Sequence, residues 1–167
     1  MAMKRNYTSL QYKSIIRKLK IANPNLTFTS DFIIGFPGES EADFEGTMKL
    51  MQDVGFDASF SFLYSQRPGT PAAFMKDEIT EATKLARLDK LQKINEAQSK
   101  AISVAMLGTS QRVLIEGPSW KDATLLAGKT DNNRVVDIEG DARLIHQFVN
   151  VKITNVSNPR RLIGEII

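Results

Sequence analysis

Apolar residues in the N-terminal part of the chain alternate between helical and strand spacing. Tyr12, Ile15, Ile16 and Leu19 recur at helical spacing behind Thr8, a residue type that caps helices, and Asn23-Pro24-Asn25 stops the pattern. Residues 26–36 then read as a strand. Ser40 opens a second helix, with Asp43 in a capping-box position and Glu41, Asp43 and Glu45 at the positive end of the helix dipole. Phe44, Met48, Met51 and Val54 form its apolar stripe, and Gly55 ends it. Residues 56–64 form a second strand, in which Phe60, Phe62 and Tyr64 alternate with Ser59, Ser61 and Leu63.

Helix–strand–helix–strand is the pattern of a parallel α/β sheet with helical crossovers. It supplies only two strands, whereas parallel sheets are normally larger and covered on both faces. The expectation is that this half is part of a larger sheet and that its unpaired edge invites self-association. A loop, QRPGTPAAF, follows, and then one long helix over residues 79–106. Its apolar side carries Leu85, Leu88, Leu91, Ile94, Ala101, Ile102 and Ala105. Its polar side carries Lys84, Arg87, Lys90, Lys93 and Lys100, the composition of a solvated face.

Beyond Gly108 the period changes to that of strands. Residues 111–116, 126–130, 135–138, 148–153 and 161–167 are short strand-like runs separated by turn residues, which predicts a small OB-like β-barrel. The expected fold class is α/β plus all-β: a partial parallel α/β sheet over residues 1–103, then a β-barrel over residues 104–167.

Composition narrows the function. The chain has 167 residues, 42% apolar and 25% charged, and contains no apolar run near the ~20 residues of a membrane helix. The N-terminus lacks the apolar core of a signal peptide, so a cytoplasmic location without membrane partners is expected. A net charge of +3 permits nucleic-acid binding without demanding it. With no cysteine and a single histidine, His146, thiolate and His-rich metal sites within the chain are excluded. No Ser-His-Asp set, P-loop or carboxylate pair is present, so no catalytic residue is assigned.

Three segments carry chemistry-bearing residues. In SDFIIGFPGE a strand ends abruptly at Gly35-Phe36-Pro37-Gly38-Glu39, where glycines let a ligand approach the backbone and the next helix offers free N–H groups. The alternative is a tight turn and nothing more. YSQRPGTP follows the next strand and so belongs on the same rim; Arg67 offers a planar fork suited to a carboxylate or phosphate, or is a solvated loop arginine. In GKTDNNR, a hairpin turn flanked by Lys129 and Arg134 could contact phosphates, or bases through asparagine amides. Trp120 could equally stack a base or cover the barrel rim.

These stretches together, SDFIIGFPGESEADFEGTMKLMQDVGFD, FSFLYSQRPGTPAA and GKTDNNRVVDIEG, closely resemble the tRNA-modifying methylthiotransferases of the radical S-adenosylmethionine superfamily. The resemblance covers essentially the whole chain. It implies the end of an incomplete radical-domain barrel followed by a TRAM domain that grips tRNA. A full-length member uses S-adenosylmethionine and two [4Fe-4S] clusters, acts as a monomer, and adds a methylthio group to C2 of N6-isopentenyladenosine beside the anticodon. This chain lacks cluster-ligating cysteines, so it is expected to hold no cofactor alone and to be inactive by itself. The resemblance makes Gly35, Phe36, Pro37, Gly38, Glu39 and Arg67 cofactor-facing positions. It makes Arg112, Lys129, Asn132, Asn133 and Arg134 RNA contacts, with Lys129 standing where arginine is common. A stand-alone RNA-binding module, and relatives acting on a ribosomal-protein aspartate or on threonylcarbamoyl-adenosine, remain the alternatives.

Overall fold

The computed structural model describes residue 3 and residues 5–167, and the chain packs as two compact units, Met1–Gln98 and Ser99–Ile167. The first unit is built from helix α1 (Ser9–Ala22), strand β1 (Thr29–Ile34), helix α2 (Glu41–Val54), strand β2 (Ala58–Leu63) and the start of helix α3 (Glu81–Ala105). Both predicted caps form. Thr8 and Gln11 make a capping box on α1, and Ser40 and Asp43 make one on α2, each satisfying backbone N–H groups that the first helical turn leaves orphaned. Gly55 ends α2 in the left-handed conformation, φ +67°.

β1 and β2 pair in parallel, from Thr29 opposite Ala58 to Ile34 opposite Leu63. That register puts Phe32 and Ile34 on one face of the sheet, where they are buried with Ile16, Phe44, Met51, Val54, Phe56 and Leu91. On the other face Phe60 and Phe62 remain 64% and 56% exposed, beside a partly exposed Ile33. The α1 stripe is also covered only in part: Ile16 is buried, while Ile15 and Leu19 are exposed.

In the second unit, β3 (Ser110–Pro118), β4 (Leu126–Thr130), β5 (Val135–Ile138), β6 (Phe148–Asn158) and β7 (Arg161–Ile166) close a barrel in the order β3-β4-β5-β7-β6. All neighbours are antiparallel except β5 and β7. Alternate residues point inward, and Val113, Ile115, Leu126, Val136, Ile138, Val151, Ile153 and Leu162 fill the interior. A barrel this small needs close strand approach. A Cβ at Gly128 would sit 2.5 Å from the Leu114 carbonyl oxygen, so only glycine fits there.

Candidate functional site

Because β1 and β2 are parallel, their carboxyl ends meet at one rim. The pairing runs one step past the strands, with the Tyr64 N–H donating to the Ile34 carbonyl at 2.8 Å. The two Gly/Pro-rich loops therefore come together, as their order along the chain predicts. Between them lies a cavity of about 470 Å³, whose wall includes Ile33, Phe36, Phe62, Tyr64, Arg67 and Thr70. Phe36 meets Tyr64 edge-to-face, with ring centroids 5.3 Å apart. The Tyr64 hydroxyl is buried and has no hydrogen-bond partner among the described residues. Buried polar atoms are nearly always paired, which makes this hydroxyl an exception among the described residues. Tyr64 heads the YSQRPGTP segment that the sequence singled out, in which only Arg67 was given a role.

The GFPGE turn is held from behind. Gly35 and Gly38 take φ of +73° and +85°, and Gly35 and Pro37 are buried while Gly38 is exposed. Glu39 Oε2 accepts the Gly35 N–H at 3.0 Å and Arg87 Nη1 at 2.9 Å; Arg87 Nη2 donates to Glu41 Oε2 at 2.8 Å. The Glu39 carboxylate is thus turned into the protein, which leaves backbone and apolar contact as the way this turn can face a ligand. Burial opposes the Arg87 charge, but hydrogen bonds to Glu41 and Glu39 outweigh it and hold the guanidinium pKa above its ordinary value.

Lys84 lies across Gly35. A Cβ on Gly35 would come within 2.5–2.9 Å of Lys84 side-chain carbons, and Lys84 Nζ pairs with Asp77. The hydrogen bond from Lys84 holds the Asp77 carboxyl below its ordinary pKa. Lys84 and Arg87 are both buried, which corrects the expectation that the basic side of α3 is uniformly solvated. Helical spacing alone could not separate these two residues from Lys90 and Lys93. The signal available was complementary charge: Glu39 and Glu41 flank the next helix start, and Asp77 lies seven residues before Lys84.

The cavity has the size and lining of a small-molecule site: its volume falls within the ~300–1,000 Å³ range, its wall is rich in aromatic side chains, and Arg67 stands at it as a charged group. An iron–sulfur cluster does not fit this chain. It has no cysteine, and no three His, Cys, Asp or Glu residues among those described are grouped to hold a metal.

On the barrel, strand register assembles a second surface. Leu114 on β3 lies between Lys129 on β4 and Phe148 on β6, and Arg112 lies opposite Asn150. The exposed Arg112 guanidinium sits 4.6 Å from the centroid of the Phe148 ring, itself exposed. Arg112 also reaches Asp131 at 3.3 Å, and Lys129 reaches Glu116 at 3.4 Å. Exposed pairs of this kind contribute only ~0–1 kcal/mol, so both cations can turn to a phosphate. Phe148 was missed as a site residue because β-strand alternation does not tell an outward aromatic from an inward one.

The turn between β4 and β5 behaves differently from its expected RNA role. Asn133 is exposed and takes φ +62°, the left-handed conformation the turn requires. Asn132 is tied inward, its Oδ1 accepting from Thr130 Oγ1 at 2.6 Å and its Nδ2 reaching Met106 Sδ at 3.4 Å. Arg134 is fully buried, its Nε donating to Ser103 Oγ at 2.7 Å and Nη2 to the Ser99 carbonyl at 3.1 Å. This corrects the expectation that Arg134 contacts RNA: its charge ties the end of α3 to the barrel instead.

The fold thus defines a class, an α/β unit followed by an OB-like barrel, and residues 104–167 match the family described as TRAM domain. Over its full length the chain is 61% identical to the tRNA-2-methylthio-N(6)-dimethylallyladenosine synthase of Methylobacillus flagellatus, spanning 38% of that protein. It is 60% identical to the protein of the same name from Nitrosospira multiformis, over 92% of this chain and 32% of the relative, and 57% identical to that from Bordetella avium over the same shares. The chain belongs to this methylthiotransferase family and corresponds to the C-terminal part of its members, about a third of the length of the curated relatives. Among the described residues, no helix is long and apolar enough to cross a membrane.

Proposed function

We propose that this chain is the cofactor-rim and tRNA-binding portion of a cytoplasmic enzyme that adds a methylthio group to C2 of N6-isopentenyladenosine beside the anticodon. The relatives' shared name and the TRAM match support the reaction class. The observation that carries the binding role is the outer barrel face, where an aromatic ring and two exposed cations, each only weakly ion-paired, meet from three adjacent strands. Residues 1–103 shape the cofactor rim and residues 104–167 hold RNA.

S-adenosylmethionine, when bound, supplies radical chemistry at the substrate carbon; this chain offers no cluster ligand, and by itself it performs none of that chemistry. Its residues bind and orient. Gly38 lets the ligand approach the turn backbone while Gly35 leaves room for Lys84 behind it, Phe36 and Tyr64 form an apolar wall, and Arg67 presents a fork to a carboxylate. Glu39 and Arg87 fix the turn from behind. On the barrel, Phe148 offers a stacking face while Arg112 and Lys129 meet phosphates, with Asn133 at the adjoining turn. Each strand of the β1–β2 sheet leaves one edge without a strand neighbour among the described residues, and self-association through that edge belongs to the same reading.

The test is tRNA binding by the purified chain across a salt titration. Affinity falls with salt, and Arg112→Ala and Lys129→Ala each reduce the salt slope by about 1. A folded chain that binds no tRNA at low salt overturns the proposal.

A further inference from the structure

Trp120 is the single tryptophan of the chain, and it stands 81% exposed just beyond the end of β3. It does not cover the barrel rim. The backbone on either side of it is pinned. The buried Ser119 donates its N–H to the Leu125 carbonyl at 2.8 Å, and Ser119 Oγ accepts from Arg161 Nη2 at 2.8 Å and from the Lys121 N–H at 3.3 Å. One side of the indole is backed by the Arg161 guanidinium, 5.3 Å from the ring centroid. That guanidinium is locked in turn by both oxygens of Asp137, each at 2.5 Å. Lys121, exposed, holds its ammonium 5.9 Å from the ring and 3.5 Å from Ser157 Oγ.

We infer that Trp120 is a stacking platform for an unpaired base of a bound RNA, with Lys121 meeting the adjoining phosphate. This contact is additional to the Arg112–Phe148 face and rests on the RNA-binding reading above. A large aromatic surface held in water on a pinned backbone is ready to receive a flat ligand without reordering. A nucleotide satisfies both features present: its base has a π-face for the indole, and its phosphate has the charge for the ammonium. An apolar knob on a protein partner would cover the ring but would strip water from Lys121 without compensation. Six residues separate Trp120 from Leu114, the cross-strand neighbour of Phe148, a span of up to about 20 Å at ~3.3 Å per residue. The two aromatics therefore lie within reach of one RNA.

A lone tryptophan lets its own fluorescence report the contact. The chain is titrated with an anticodon stem–loop RNA while indole emission is followed. Saturable quenching is expected, along with a roughly 10-fold or greater loss of affinity in Trp120→Ala, read from the fluorescence anisotropy of a dye-labelled RNA, that Trp120→Phe largely restores. If the RNA binds with a salt dependence sensitive to Arg112→Ala, yet emission is unchanged and Trp120→Ala binds like the unsubstituted chain, the platform is overturned while RNA binding stands. Trp120 then faces a protein partner. If the folded chain binds no RNA, the broader reading fails and this inference with it.

Discussion

Replacing Arg87 by alanine should loosen the GFPGE turn by a predictable amount. The Arg87 guanidinium holds Glu39 at 2.9 Å and Glu41 at 2.8 Å and lies 5.3 Å from the Phe44 ring centroid. Without it, the Glu39 carboxylate, 10% exposed, keeps the Gly35 N–H as a hydrogen-bond donor but no cation. Breaking a buried ion pair from one side costs about 3–5 kcal/mol. Two structural facts lower that figure. The Glu41 side chain is 60% exposed, so its arm contributes only ~0–1 kcal/mol. Arg87 Nε is itself a buried donor without a partner among the described residues, and deleting it removes a penalty of ~1 kcal/mol. The net cost is about 2–3 kcal/mol. A chain of two units has no single unfolding free energy, so the readout must be local. Amide exchange at Gly35 should accelerate roughly 30- to 150-fold in Arg87→Ala, since ~1.4 kcal/mol is a factor of ten. Trp120 emission, which reports the barrel unit, should keep its urea midpoint. Exchange at Gly35 within threefold of the unsubstituted chain would refute the view that Arg87 holds the turn through Glu39.

Arg134→Ala should destabilise the barrel by about 2–4 kcal/mol, because it empties a buried site and removes the hydrogen bonds to Ser103 Oγ and the Ser99 carbonyl; a thermal melt followed by Trp120 emission checks this, and RNA affinity should fall only as the barrel unfolds. Gly35→Ala should cost the α/β unit about 1–2 kcal/mol for the left-handed backbone alone, with displacement of Lys84 added, as measured by urea denaturation with circular dichroism. Asp77 titrates below its ordinary pKa when folded, so its pairing with Lys84 stabilises above ~pH 4 and is lost as pH falls through the folded value. Acid titration of Asp77→Asn should show a shallower loss of α/β-unit structure than the unsubstituted chain.

Local structure was legible in the sequence where a short-range rule decides it. Thr8 with Gln11 and Ser40 with Asp43 cap their helices because the partners lie within one turn of chain. Gly55 and Asn133 take left-handed backbones that few other residues adopt. Parallel pairing of β1 and β2 follows from the intervening helix, and it brings the loops of Phe36 and Arg67 to one rim. What the sequence left open was the fate of long polar side chains. Arg112 and Arg134 both looked like RNA contacts, yet one lies exposed on Phe148 and the other is buried against Ser103. Lys84 and Arg87 share a helix face with Lys90 and Lys93 but are covered. Spacing fixes the direction in which a side chain leaves its element, within a turn or a strand pair. Whether that direction meets water, a carboxylate or another strand depends on residues tens of positions away, and only the tertiary packing brings those within hydrogen-bonding distance.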